Sequence, residues 1–354
     1  MPTSPDGSFT TPRLTTVSLY GSRAPSTRVR IDDWLSHLDV SAQHFRHAGL
    51  GNLRPSTVFR HLPEVVAAEI TTRRLAHGKR DLLLMSREAS PLSHGEVEER
   101  FLRSAAHSTY DFDDALFEDG SGLRSIYARP AKCRRGVSTA DVVIAGNDYL
   151  AGWASQHSRD VRVIPSCIEP STYLVKGSWA VGEAPVIVWL GSRTTERYVE
   201  SIAPQLRRLH ETTGARLRLI SGPGPDSIGL HGFVDRVPWD LRTMPGLLAS
   251  ADIAIAPLDD SPFSRGKCAY KLLQYAAAGL PIVGSPVGAN ELALKRFDGV
   301  AVGPDESWAD AIAGVLHEGD DVRRQRGLTG VAAVAEHYSF DAWADEWTRA
   351  VGLS

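Results

Sequence analysis

Lys267, Lys271 and Gln274, followed by Ala278, fall at three- and four-residue steps and share one face of an expected helix beginning near Lys267. Leu272, Leu273, Ala276 and Ala277 form the opposite, apolar stripe. A loop, Pro257–Lys267 (PLDDSPFSRGK), leads into this helix with a glycine just before it. Free amides at a helix start, beside two ammonium groups, suit an anion. Surface lysines usually lay their stems on apolar surface with their heads in water, so the local pattern alone leaves both readings level. A second loop tips the balance. SRTTERY, Ser192–Tyr198, comes after the apolar run VIVWLG. Gly191 permits close backbone approach, Thr194 or Thr195 can cap the next helix, and Arg193 offers a planar fork for phosphate. The plain alternative is an ordinary helix cap with a solvated arginine. Both loops leave strands of one expected sheet, which favours phosphate binding.

Other stretches invite chemistry and mostly decline it. YDFDDALF, Tyr110–Phe117, puts Asp111, Asp113 and Asp114 together, enough carboxylate for a hard divalent cation. SGPGPDS, Ser221–Ser227, offers glycines after a strand, but Pro223 and Pro225 remove amides a dinucleotide site needs. AKCRRG, Ala131–Gly136, is a basic cluster that could face anionic lipid, and a solvated helix end fits it better. The twelve histidines show no metal-ligand spacing; His94 and His107 are the ones placed near a cleft. YGSRAPSTRVR, Tyr20–Arg30, joins Gly21 to Arg28 and Arg30 in a loop able to close over a reaction centre. Arg28 can reach a phosphate, and Arg30 can equally pair with Asp33 or Glu88.

The elements that must carry these loops are short apolar runs alternating with helical segments. Strands are expected at Leu14–Tyr20, Asp81–Met85, Ser108–Phe112, Asp141–Ala145 and Val161–Ile164, then at Pro185–Leu190, Arg216–Ser221, Asp252–Ala256, Pro281–Gly284 and Val300–Val302. A helix is expected over Val199–Glu211. Strand–helix alternation implies parallel sheets with helices on both faces, and ligands at the carboxyl ends of the strands. The break between halves falls in Ile168–Pro185, rich in Pro, Gly and Ser, which reads as a linker. SFDAWADEWTRAVG, from Ser339, reads as a capped terminal helix with Trp343 and Trp347 four residues apart.

At 354 residues and 42% hydrophobic content the chain is sized for two domains. A net charge of −3 gives no bulk attraction for nucleic acid. Cys133, Cys167 and Cys268 form no CxxC pair, which argues against a disulfide framework or zinc site and fits a reducing cytoplasm. No apolar run is long enough to span a membrane, which leaves only peripheral membrane contact open.

KCAYKLLQYAAAGLPIVGSPVGANEL, with DIAIAPLDD, VIVWLGSRTT, YDFDDALF and PSTRVR, resembles glycosyltransferase family four, the retaining GT-B enzymes. The resemblance runs from Leu14 to the end and is densest over Asp252–Glu291. It implies an α/β chain of two Rossmann-like domains facing across a cleft: a disordered 1–12, an acceptor domain 13–170, a nucleotide-sugar domain 171–338, and a crossover helix 339–354 packing back on the first domain. The donor implied is a nucleoside diphosphate-sugar, UDP-, GDP- or dTDP-linked, with no metal and no further cofactor, and the acceptor is a small molecule or glycan. By the same resemblance Arg193, Lys267 and Lys271 hold the diphosphate and act in catalysis. Gly21, Gly191, Ser192, Thr194, Ser264 and Gln274 line the donor, Val237 and Trp239 flank its base, and Gly279 ends the donor helix. Arg28, Asp111, Asp113 and Asp114 fall on the acceptor side, although a capped turn explains the aspartates nearly as well. The chain departs from the family where a glutamate pair is usual: those positions hold Gly266 and Gln274, with Asp259 or Asp260 as substitutes. An epimerase-like enzyme of the same fold, or a nucleotide-sugar-binding protein without catalysis, are the alternatives.

Overall fold

The computed structural model describes residues 13–22, 24–47, 60–118, 127–226 and 228–354; the segment 1–12, expected to be disordered, lies outside them. The chain divides into two compact units, Met1–Ser166 with Trp343–Ser354, and Cys167–Ala342. Among the described residues each unit holds one six-stranded parallel sheet.

In the first unit the strands are β1 (Leu14–Ser18), β2 (Ala42–Arg46), β3 (Arg80–Ser86), β4 (Ala105–Phe112), β5 (Val142–Ala145) and β6 (Val161–Val163), ordered β2-β1-β3-β4-β5-β6. Leu83, Leu84 and Met85 of β3 have no exposed surface, as a parallel strand covered on both faces requires. In the second unit β7 (Val186–Leu190), β8 (Arg216–Ser221), β9 (Val234–Pro238), β10 (Ile253–Ala256), β11 (Ile282–Gly284) and β12 (Val300–Ala301) are ordered β12-β11-β10-β7-β8-β9. Leu272, Leu273, Ala276 and Phe297 pack in one core cluster of this unit, and Trp189, Leu206, Leu209 and Ile312 in another.

Two strands escape the apolar-run criterion, β2 (AQHFR) and β9 (VDRVP). Each is a sheet edge with one hydrogen-bonded neighbour and partial exposure, so its sequence has no need of a continuous apolar run. The helix expected over Val199–Glu211 is instead two, Arg197–Glu200 and Ala203–Thr213, the second with proline in its first turn.

The helix carrying Lys271 spans Tyr270–Ala277 and does not reach Lys267. A short helix, Pro262–Arg265, ends at Gly266, and Ala269 takes a left-handed φ of 52°, which breaks the run between them. Gly279, φ 72°, comes just after the helix, as expected for its end.

The stretch expected to be a linker is packed onto the second unit. Lys176 Nζ donates to Ala251 O at 2.7 Å, and Trp179 Nε1 donates to Gly279 O at 2.9 Å. Arg323 Nε in turn donates to Trp179 O at 2.9 Å. Proline, glycine and serine here serve a fixed irregular path whose polar groups find partners, and flexibility is not their purpose.

The terminal helix, Phe340–Val351, packs back on the first unit. Ser339 Oγ accepts from Ala342 N at 3.2 Å as its cap. Trp347 has no exposed surface and stacks on Trp34, centroids 5.1 Å apart and planes 7° from parallel. Thr109 Oγ1 donates to Ala350 O at 2.7 Å.

Candidate functional site

β7 ends at Leu190, and the turn it enters is crowded. A Cβ on Gly191 would stand 2.3 Å from Trp189 Cη2 and 2.8 Å from Lys271 Nζ, so only glycine fits. Lys271 enters from the first turn of the Tyr270–Ala277 helix, and its Nζ lies 4.1 Å from the centroid of the Trp189 ring. Among the described residues it has no hydrogen bond and no counter-ion. Burial, and then the charge of Lys267, push its pKa down to about 7. An ammonium in that position is short of an anion.

The depressed pKa bears on stability. Below pH 7 Lys271 is protonated in both folded and unfolded chains, and its burial penalty is at its largest. Between about 7 and its ordinary 10.5 the unfolded chain keeps a proton that the folded chain has released, so stability rises with pH across that window. Lys271→Met is expected to lose this rise and to gain most over the native protein at pH 6.5, as measured by thermal melts at pH 6.5 and 9. Parallel curves for the two proteins would show that Lys271 keeps its ordinary pKa.

Arg193 lies on the turn Arg193–Thr195, closed by a reciprocal cap between Ser192 and Thr195; Ser192 Oγ also bonds Thr194 Oγ1 at 2.9 Å. Its Nη1 donates to Glu196 Oε2 at 2.7 Å and to Pro225 O at 3.1 Å. The side chain lies across Gly222 and Gly224, where a Cβ would come within 3.1 Å of it. Ser264 is buried and bonds Tyr198 Oη at 3.2 Å and the Asp259 carboxylate. Asp260 is held by Arg265 through two hydrogen bonds of 2.6 and 3.0 Å. Lys267 Nζ sits 5.0 Å from the Phe263 ring centroid. Gln274 is buried at 4% exposure, its amide donating to Tyr173 Oη at 3.2 Å. Val237 belongs to β9, and Trp239, just beyond it, is 45% exposed with its amide donating to Ser221 O at 3.1 Å. Gly191, Lys271 and Trp189 are thus brought together, and Arg193 joins the Gly222–Pro225 loop.

Residues 184–318 match the family model described as Glycosyl transferases group 1. No curated protein matches the chain in sequence. Among solved structures it is similar to HepE from Anabaena in complex with UDP and glucose, at 12% identity and a TM-score of 0.68, covering 96% of this chain and 99% of that one. It is similar to WaaG, a glycosyltransferase involved in lipopolysaccharide biosynthesis, with the same identity, coverage and score. An α,α-trehalose-phosphate synthase (UDP-forming) from Burkholderia vietnamiensis matches at 11% identity and a TM-score of 0.68, over 98% of this chain and 99% of that one. The two six-stranded α/β units are those of the GT-B fold.

The Glycosyl transferases group 1 segment contains Gly191, Arg193, Trp239, Lys267, Lys271 and Gln274, and excludes every expected acceptor-side residue. In the first unit those residues are occupied. Arg30 pairs with Asp111, correcting the expected partners Asp33 and Glu88: Nη2 to Oδ2 is 2.5 Å and neither side chain has exposed surface. Arg30 Nη1 also donates to Pro165 O at 2.9 Å. Arg87, at a left-handed φ of 62°, grips Asp113 Oδ1 and Asp114 Oδ2, each at 2.6 Å. Burial pushes the Asp113 carboxyl up, but Arg87 outweighs it and holds the group below its ordinary range. Arg28 pairs with Asp33 at 3.4 Å, and Gly21 lies in an open turn with nothing near its absent Cβ.

AKCRRG is not a solvated helix end. Lys132 has no exposed surface and pairs with Glu88 at 3.1 Å, in the middle of the Arg129–Thr139 helix. His107 Nε2 lies 3.0 Å from Ala350 O, while His94 is exposed. Sequence reasoning missed Trp189, which reads as plain core, and the Glu196–Arg236 pair, which is forty residues apart and without periodicity. Only the buried position of a charged residue, invisible in one sequence, could have marked Glu196.

Proposed function

We propose that the protein is a retaining glycosyltransferase of family four. It moves a sugar from a nucleoside diphosphate-sugar to a hydroxyl or amine acceptor, in the cytoplasm, within bacterial natural-product or envelope-glycan biosynthesis. One observation carries the reading: Lys271 stands without a counter-ion against Gly191 and Trp189, inside the segment that matches Glycosyl transferases group 1. The exposed Trp239 suits the flat face of a base. UDP is the first nucleotide to test, since HepE was solved with it.

In the proposed reaction the bond from the anomeric carbon to the β-phosphate oxygen breaks, and the acceptor oxygen bonds to that carbon on the same face. The acceptor's proton passes to the departing phosphate, so no side-chain base is needed. Charge accumulates on the β-phosphate as the bond breaks. Lys271 and Arg193, and Lys267 beside them, stabilise it more than the bound donor, and that difference is the catalysis. Asp113 and Asp114, which keep some exposed surface, are the acceptor-side candidates; Asp111 keeps none.

Gly266 and Gln274 at the usual glutamate positions favour one other reading, binding without turnover. A thermal-shift screen over UDP, GDP and dTDP, with product NMR on the matching sugar nucleotide, separates the two. Stabilisation by one nucleotide with an axial-to-axial or equatorial-to-equatorial product supports transfer with retention; an inverted product refutes retention, and binding with no product supports the other reading. Turnover is expected to survive exhaustive chelation, because lysine and arginine take the place of a cation at the phosphates. Activity that disappears and returns only with Mn²⁺ or Mg²⁺ would show that the diphosphate lies elsewhere.

A further inference from the structure

Glu196 takes no part in the proposed transfer, yet both of its carboxylate oxygens are bonded beside Arg193. Its side chain is 4% exposed. Oε2 accepts from Arg193 Nη1 at 2.7 Å and from Arg236 Nη2 at 3.1 Å, and Oε1 accepts from Arg236 Nη1 at 2.9 Å. Arg236 is fixed from behind: its Nε donates to Asp226 Oδ1 at 2.7 Å and its Nη1 to Gly222 O at 3.1 Å. Burial raises the pKa of Glu196, but Arg236 and Arg193 outweigh it and hold the carboxyl below its ordinary range, so it is ionised at neutral pH.

Arg193 shares only one nitrogen in this network. Nη1 serves Glu196 and Pro225, while Nε and Nη2 have no partner among the described residues. Those two nitrogens form the side-on edge of the guanidinium, the one that grips two oxygens of a single anion. Gly224 lies against the flat face of the same guanidinium, where a Cβ would be 3.1 Å from Cζ. A Cβ there would stand 3.1 Å from Nη2 and 3.3 Å from Nε, and the φ of +144° already disfavours any side chain.

We infer that Glu196 is a positioning residue for the donor diphosphate: by holding Nη1 of Arg193, and being held by Arg236, it keeps the Nε–Nη2 edge fixed and open. The inference rests on the proposed diphosphate site. A partly exposed arginine with nothing at Nη1 would range over many rotamers and lose that freedom on binding. Glu196 removes the freedom beforehand. Arg236 keeps the carboxylate from turning away, and Gly224 lets the guanidinium lie flat on the loop.

The test uses the full chain and calorimetric titration with UDP, GDP and dTDP, keeping whichever nucleotide the native protein binds. Glu196→Gln is expected to weaken that nucleotide about tenfold, the scale of one charge-assisted hydrogen bond. In an Arg193→Ala background the same change is expected to cost less than about twofold, because its effect passes through Arg193. Glu196→Asp, which keeps the charge beside Arg236 on a shorter side chain, is expected to weaken binding in the native protein and not in Arg193→Ala; it decides the matter if Glu196→Gln does not fold. Unchanged affinity in Glu196→Gln, or equal losses in both backgrounds for the variants that fold, would make Glu196 a purely structural residue. If the native protein binds none of the three nucleotides, the diphosphate reading itself fails, and this inference with it.

Discussion

Replacing Lys271 or Arg193 with alanine is expected to lower kcat by roughly 10²–10³-fold, the loss seen when one preorganised group is removed from a developing anion. Each should also weaken donor binding, but by less, because the β-phosphate carries more charge at the transition state than in the bound donor. The double variant should fall short of the product of the two losses, since both groups act on one charge. Arg193→Lys should recover only part of the rate, as an ammonium has no planar fork. For Lys271 there is a control in its surroundings: it has no protein partner to leave stranded, so its removal should not cost stability. Initial rates with the matching sugar nucleotide, with melting temperatures for each variant, check this. Near-native turnover in both single variants would exclude the site.

Asp111→Ala is expected to cost the first unit about 3–5 kcal/mol, because it strands the Arg30 guanidinium where no water reaches it. Arg30→Ala should cost a similar amount by stranding the carboxylate. Replacing both together, Arg30→Met with Asp111→Leu, should recover most of the loss, since the apolar pair needs no partner. Urea unfolding of the four proteins measures it. A loss below about 1 kcal/mol in both single variants would mean that water enters the pair.

How far the sequence could be read depended on how local each signal was. Ten strands were legible because β3, β5, β7 and β10 are short apolar runs buried on both faces, and such runs need no partner to be recognised. β2 and β9 were not, since an edge strand can be polar and its identity comes from the neighbour it pairs with. Gly191 was legible as a close-approach position, but what approaches, Trp189 and Lys271, comes from a core strand and another helix. Lys267 was placed on the wrong side of a helix start because a left-handed Ala269 leaves no trace in composition. The charges were the hardest. Arg30, Asp111, Arg87, Lys132 and Glu196 look like surface residues in a string of letters, and each has a partner brought to it by long-range packing. The distinction between Lys271 and Lys132, one without a counter-ion and the other paired with Glu88, exists only in three dimensions.

The Phe340–Val351 helix begins in one unit and ends in the other, and this fixes an order of events on the ribosome. Translation delivers β1 and Trp34 first, but Trp347, which stacks on Trp34, comes more than three hundred residues later. Every strand of the second sheet lies between them, so that unit can close as soon as Ala342 has emerged. The unit that is synthesised first is therefore completed last. A chain truncated after Ala342 would keep every strand of the second unit and leave the first with an apolar seat open beside Trp34.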